Sequence, residues 1–308
     1  MSALAFTILA LLLVGPVPAL LARASWPMRA PRAAIVLWQS IAVAAVLSAF
    51  SAGLAIASRL FVPGPDGRPT ATITSEIGVL GWPLWLAYVV VFAITLLIGA
   101  RLLVAVVQVA VATRRRRAHH RTVVDLLGEC RHGMNGLRVL DVSEPLAYCL
   151  PGVRSRVVLS EGTLSALSDN ELAAILSHER AHLRARHDLV LEAFIAVHTA
   201  FPRFVRSGSA LAAVRLLVEM LADDAAVRTA GPAPLARALV TCASGPTPKG
   251  ALAGGGPTTL IRVRRLAGAP NSLLLSLVAY TAAAAVLVVP TVAVAMPWLT
   301  ELHRLFLS

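Results

Sequence analysis

The sequence predicts a mainly helical membrane protein: four transmembrane helices, with an α+β domain between the third and the fourth. Three observations predict it. The 308-residue chain is 57% hydrophobic and only 14% charged, whereas soluble domains carry about 25% charged residues. Four apolar stretches, at about residues 3–22, 33–57, 80–100 and 273–297, reach the roughly 20 residues that cross a hydrocarbon core. Between the last two lies a long region of short β-rich segments and amphipathic helices.

The first stretch has no basic residues ahead of it, and Arg23, Arg29 and Arg32 follow it. It reads as an uncleaved anchor rather than a signal peptide. In the loop after the second stretch, Arg59 and Arg68 are balanced by Asp66 and Glu76, and "RRRRAHHR" (residues 114 to 121) follows the third. The positive-inside rule then makes residues 113–272 cytosolic and puts both termini outside. Trp82, Trp85 and Tyr88 fall near the outer interface as aromatic anchors. The chain divides into a membrane domain (1–112), a cytosolic domain (113–272), and a fourth helix with a short external tail (273–308). Of the 28 basic residues behind the net charge of +12, 21 lie in the cytosolic region. Their tightest cluster abuts a span, as expected of a topology anchor that meets anionic lipid, so direct nucleic-acid binding is not expected. Cys130, Cys149 and Cys242 form no C-x-x-C pair and read as reduced thiols.

Along the cytosolic region, "LRVLDV" (137 to 142), "LAYCL" (146 to 150) and "SRVVLS" (155 to 160) read as strands. Ser168 with Glu171 forms a capping box, which starts a helix whose apolar face carries Leu172, Ile175, Leu176 and Leu183. The segment 189–201 is apolar but too short to span, and suits a core helix or one that dips into the membrane interface. A further helix covers about 208–229. Residues 231–270, rich in Gly and Pro and including "GGGP" at 254 to 257, read as a flexible connector.

The capped helix contains His178-Glu179-Arg180-Ala181-His182. Residues four apart share a helix face, so His178 and His182 can put two imidazoles on one metal ion, with Glu179 beside them as a base for metal-activated water. That pattern points to one Zn2+ per chain and to peptide hydrolysis. A catalytic zinc wants a third protein ligand. Asp188 has a suitable spacing, but Ala185 and Arg186 stand where the chain must turn, so the helix is expected to run on. His187 is one residue out of register. Glu219 on the later helix is the preferred ligand, with Asp223 one turn on, placed to hydrogen-bond a ligating imidazole. Substrate is expected to add as a strand along an edge formed by "AYCLPG" or "RVVLS".

Three spans, the segment "AYCLPG…RVVLS…LSDNELAAILSHERAHLRARHD", then E-x-x-A-D and a fourth span together resemble the antibiotic-sensing membrane metallopeptidases of the BlaR/MecR type. The resemblance implies a gluzincin-like fold, zinc on His178, His182 and Glu219, the base Glu179 and a supporting Asp223. It implies cleavage of a winged-helix transcriptional repressor, or of the protein itself, when a signal arrives, as in β-lactam resistance. The family's sensors carry a penicillin-binding domain after the fourth span. Here "TELHRLFLS" stands in that place, so a separate sensor protein is an expected partner, as is a second copy of the chain. The other readings are a heat-shock type quality-control membrane protease and a non-catalytic transducer with structural zinc.

Overall fold

The computed structural model describes residues 2–60, 77–78, 80–130, 136–152, 155–202, 207–243, 258–268, 270–292, 296 and 300. Asp66, Arg68 and Glu76 of the second loop, the "GGGP" run and the tail from residue 301 lie outside the described residues. Four helical stretches are long and apolar enough to cross a membrane: Ala3–Arg23, Pro31–Ala57, Trp82–Leu127 and Leu273–Pro290. The first is two helices, α1 (Ser2–Val14) and α2 (Pro16–Arg23). Pro16 opens α2, and Pro31 opens α3 (Pro31–Ala57), positions where the missing N–H of proline goes unneeded.

The third stretch departs from expectation. Helix α4 (Trp82–Leu127) does not stop near residue 100 but continues for 46 residues, through "RRRRAHHR", to Gly128. No proline interrupts it after Pro83, and Ala, Leu and Arg favour the helix through this stretch. The boundary drawn between residues 112 and 113 therefore falls inside a helix.

The small sheet forms where α4 ends. Strands β1 (Glu129–Cys130), β2 (Leu137–Leu140), β3 (Ala147–Leu150) and β4 (Arg156–Ser160) lie in the order β1-β2-β4-β3. Strand β4 pairs parallel with β2 and antiparallel with β3, so "RVVLS" is interior and cannot be the edge. Its Val157 N–H is already bonded to Gly136 O at 2.8 Å. Strand β3, the "AYCL" segment, is an edge, as β1 is at the other side. Both faces of the sheet are covered, so its strands read as continuous apolar runs. One face packs Leu137, Val157 and Leu159 against helices, and the other packs Tyr148, Leu150 and Val158 against Val124 of α4.

After β4 come α5 (Glu161–Ala166), α6 (Asp169–Arg184), α7 (His187–Ala200) and α8 (Ser207–Ala230). The short apolar segment forms α7, a core helix. Its Leu191 and Phe194 pack with Trp38 and Ile41 of α3 and with Leu211 and Val214 of α8. The connector expected over 231–270 contains two helices, α9 (Pro232–Cys242) and α10 (Thr259–Leu266). Leu235 and Leu239 of α9 are buried in the core cluster beneath the sheet, where α9 packs against α6 and α8. Composition misleads here because Gly231 and Pro232 punctuate a helix start rather than a loop. Helix α11 (Leu273–Pro290) is the fourth candidate span.

Gly162, at the start of α5, donates its N–H to Val142 O at 2.9 Å. A Cβ there would fall onto the Ser143 carbonyl. Gly162→Ala is expected to destabilise the domain by about 1–3 kcal/mol, as overpacking does. Thermal unfolding of the detergent-solubilised protein checks this, and an unchanged midpoint would contradict the packing described.

Candidate metal centre

Helix α6 owes its start to the predicted capping box: the Ser168 N–H donates to the Glu171 carboxylate at 3.0 Å. Ala174, Ile175 and Leu176 then bury one side, and the next turn carries His178, Glu179 and His182 into the interior. The helix stops at Arg184 rather than running on. Arg186 takes the left-handed conformation at φ 51°, which costs a non-glycine residue about 1–2 kcal/mol. Burial of His187 and Asp188 just beyond the turn holds it there.

Helix α6 packs along α8 and brings Glu219 to the two histidines. His178 Nε2 and His182 Nε2 are 3.2 Å apart. His178 Nε2 is 3.4 Å from Glu219 Oε2, and His182 Nε2 is 3.6 Å from Glu219 Oε1. A tetrahedral ion with bonds of 2.0–2.2 Å separates its ligand atoms by roughly 3.3–3.6 Å. The three side chains therefore form a cluster that can hold a metal ion. Glu179 Oε2 is buried without an aligned hydrogen bond among the described residues, as expected where such an atom faces a metal or a water.

Each ligating imidazole is braced from behind. His178 Nδ1 lies 3.1 Å from Asp223 Oδ1, and His182 Nδ1 is within hydrogen-bond distance of His187 Nδ1 at 3.0 Å. Such contacts orient a ring so that its other nitrogen faces the metal. Burial holds His182 down at about 3, so it is neutral and its lone pair is free. Burial opposes a charge on His178 too, but Asp223 and Glu219 outweigh it and raise that ring to about 9. Metal binding there must release a proton. Burial also pushes Glu179 up to about 7, and the Cys149 thiol of β3 lies against its carboxylate.

All five residues singled out from the sequence (His178, Glu179, His182, Glu219 and Asp223) meet here. Asp188 does not: it turns to Arg117 of α4 at 3.1 Å. His187 braces His182. One member escaped sequence reasoning. Arg262, on α10, is fully buried and reaches both Glu219 and Asp223. Two carboxylates one turn apart on a buried face demand a cation, and that demand is the signal that points to one.

The family model described as BlaR1 peptidase M56 matches residues 68–204. The match is to the M56 peptidases. It covers His178, Glu179 and His182, ends before Glu219, and agrees with a BlaR/MecR-type membrane metallopeptidase. No curated protein and no solved structure matched the chain. The M56 match supports a peptidase, and the candidate spans place it among membrane proteins.

Purified protein is expected to carry about one divalent metal ion per chain. His178→Ala and Glu219→Ala should lose most of it, while Asp188→Ala keeps it. Metal analysis by mass spectrometry decides: full occupancy in Glu219→Ala with loss in Asp188→Ala would reverse the assignment of the third ligand.

Proposed function

We propose that this protein is an integral-membrane zinc metalloendopeptidase. In this reading residues 113–272 are cytosolic, both termini lie outside, and the enzyme cleaves a cytosolic regulatory protein in signal-dependent gene regulation. The carrying observation is Glu179: a carboxylate only 2% exposed, with one unpartnered oxygen, beside a His-His-Glu cluster. A buried carboxylate oxygen left without a partner is costly unless chemistry uses it. The winged-helix repressor as substrate, cleavage of the chain itself, and a role in β-lactam resistance rest on the resemblance to the BlaR/MecR type.

His178, His182 and Glu219 would hold the ion, an N/O ligand set that suits zinc and leaves a fourth position open. When bound, zinc lowers the pKa of a coordinated water toward about 7 and polarises a carbonyl oxygen. Glu179 takes the proton from the attacking water and returns it to the leaving amine nitrogen. Its elevated proton affinity suits both halves of that transfer. Cys149 connects this base to the edge strand. Because the Ser160 N–H bonds Leu146 O at 2.9 Å, the antiparallel alternation turns the main chain of Tyr148 and Leu150 toward β4. The main-chain groups of Ala147 and Cys149 then face away from β4. An extended substrate pairing with that edge gains affinity from backbone hydrogen bonds and lies straight beside Glu179.

Glu179→Gln should keep its zinc and lose cleavage by about 10²–10⁴-fold. The measurement is comparative proteomics of cells expressing wild type and variant, with metal content determined in parallel. Identical cleavage products from both would move the protein to the non-catalytic class. For orientation, single-cysteine variants near Arg117 should resist membrane-impermeant labelling in intact cells; labelling there would invert the topology.

A further inference from the structure

Among the described residues no other arginine or lysine is as buried as Arg262, at 0% exposure. Its Nε and Nη2 donate to Asp223 Oδ2 and Oδ1 at 2.8 and 2.6 Å, and its Nη1 lies 3.0 Å from Glu219 Oε2. One guanidinium thus engages the two acidic residues that α8 brings to the centre, three contacts in a planar fork that a lysine cannot reproduce. The contacts act in series. Asp223 Oδ1, gripped by Arg262, is the same atom that braces His178 Nδ1. Glu219 Oε2, paired with Arg262, leaves Oε1 as the oxygen turned toward His182. Without the guanidinium, two carboxylates one turn apart would repel each other across a buried face.

We propose that Arg262 is the positioning residue of this centre, fixing Asp223 against His178 and setting which Glu219 oxygen is presented to the ion. This rests on the zinc reading above. It assigns Arg262 no contact with substrate. Arg262 acts through the two carboxylates, and burying an ion pair this completely makes better sense as a device for geometry than as one for stability.

The test uses the full-length protein in detergent, with zinc affinity measured by competition against a chelator of known strength. Arg262→Met and Asp223→Asn should each weaken zinc retention about 10–100-fold, as loss of support behind a ligand does. The double variant should be no weaker than the weaker single variant, because both remove one chain of contacts. Arg262→Lys keeps a buried cation and so protects the fold, yet its affinity should lie nearer to that of Arg262→Met than to wild type. Unchanged affinity in Arg262→Met, full multiplication of the two losses in the double variant, or wild-type affinity in Arg262→Lys would each overturn the proposal while leaving the zinc reading intact. Wild-type protein that retains no zinc would remove that reading and this proposal with it.

Discussion

The architecture depends on one buried network of charge. Two histidines, two carboxylates and an arginine have left water together, and none can do so alone at acceptable cost. Their mutual neutralisation dictates which helices must meet. Helix α6 brings the imidazoles, α8 the carboxylates and α10 the guanidinium. Contacts outside the network secure the same three helices: Ser177 and Thr229 join α6 to α8 at 3.0 Å. Arg265 ties α10 to Asp224 of α8 at 2.8 Å and to the Met28 carbonyl at 2.7 Å.

The same helices make the candidate spans and the metal centre parts of one structure. The first half of α8 packs Leu211, Val214 and Leu217 into the core shared with α3 and α7. Its last turns place Ala226 in the core beneath the sheet, and Glu219 and Asp223 lie between. Helix α7 does similar work. Asp188 and Glu192 at its start both pair with Arg117 of α4, and its apolar face packs among the candidate spans. Arg117 belongs to a basic run that looks like a plain topology signal, yet here it also holds tertiary structure.

What the sequence made legible was local. Periodicity, the Ser168–Glu171 box and the four-residue histidine spacing all concern residues within one helix, and the helix formed as they require. The candidate spans follow from solvent preference alone. Glu219 was reachable because two histidines at that spacing call for a third ligand and few acidic residues compete for the place. What escaped was set by tertiary contact. Arg262 lies 39 residues from Asp223 with no pattern joining them. The turn at Arg186 places a non-glycine in a left-handed conformation that local propensity disfavours and that buried neighbours enforce. Strand β4 could not be told from an edge, because pairing on both sides is a property of the sheet and not of "RVVLS". The helices α9 and α10 were hidden by the Gly and Pro residues around them.

Helix α4 carries a mechanical implication. At 1.5 Å per residue its 46 residues make a rod about 69 Å long, begun beside Trp82 and ended against the sheet, where Val124 meets Tyr148 and Val158. A rod without a joint converts angle into distance: a tilt of roughly 5° about one end sweeps the other through about 6 Å, more than the rise of one helical turn. The end that sweeps lies under the β-sheet, against Tyr148 of the edge strand that also carries Cys149 beside Glu179. Whatever leans on this helix near Trp82 thus acts on the strand bed directly, as a crank acts on the part it carries.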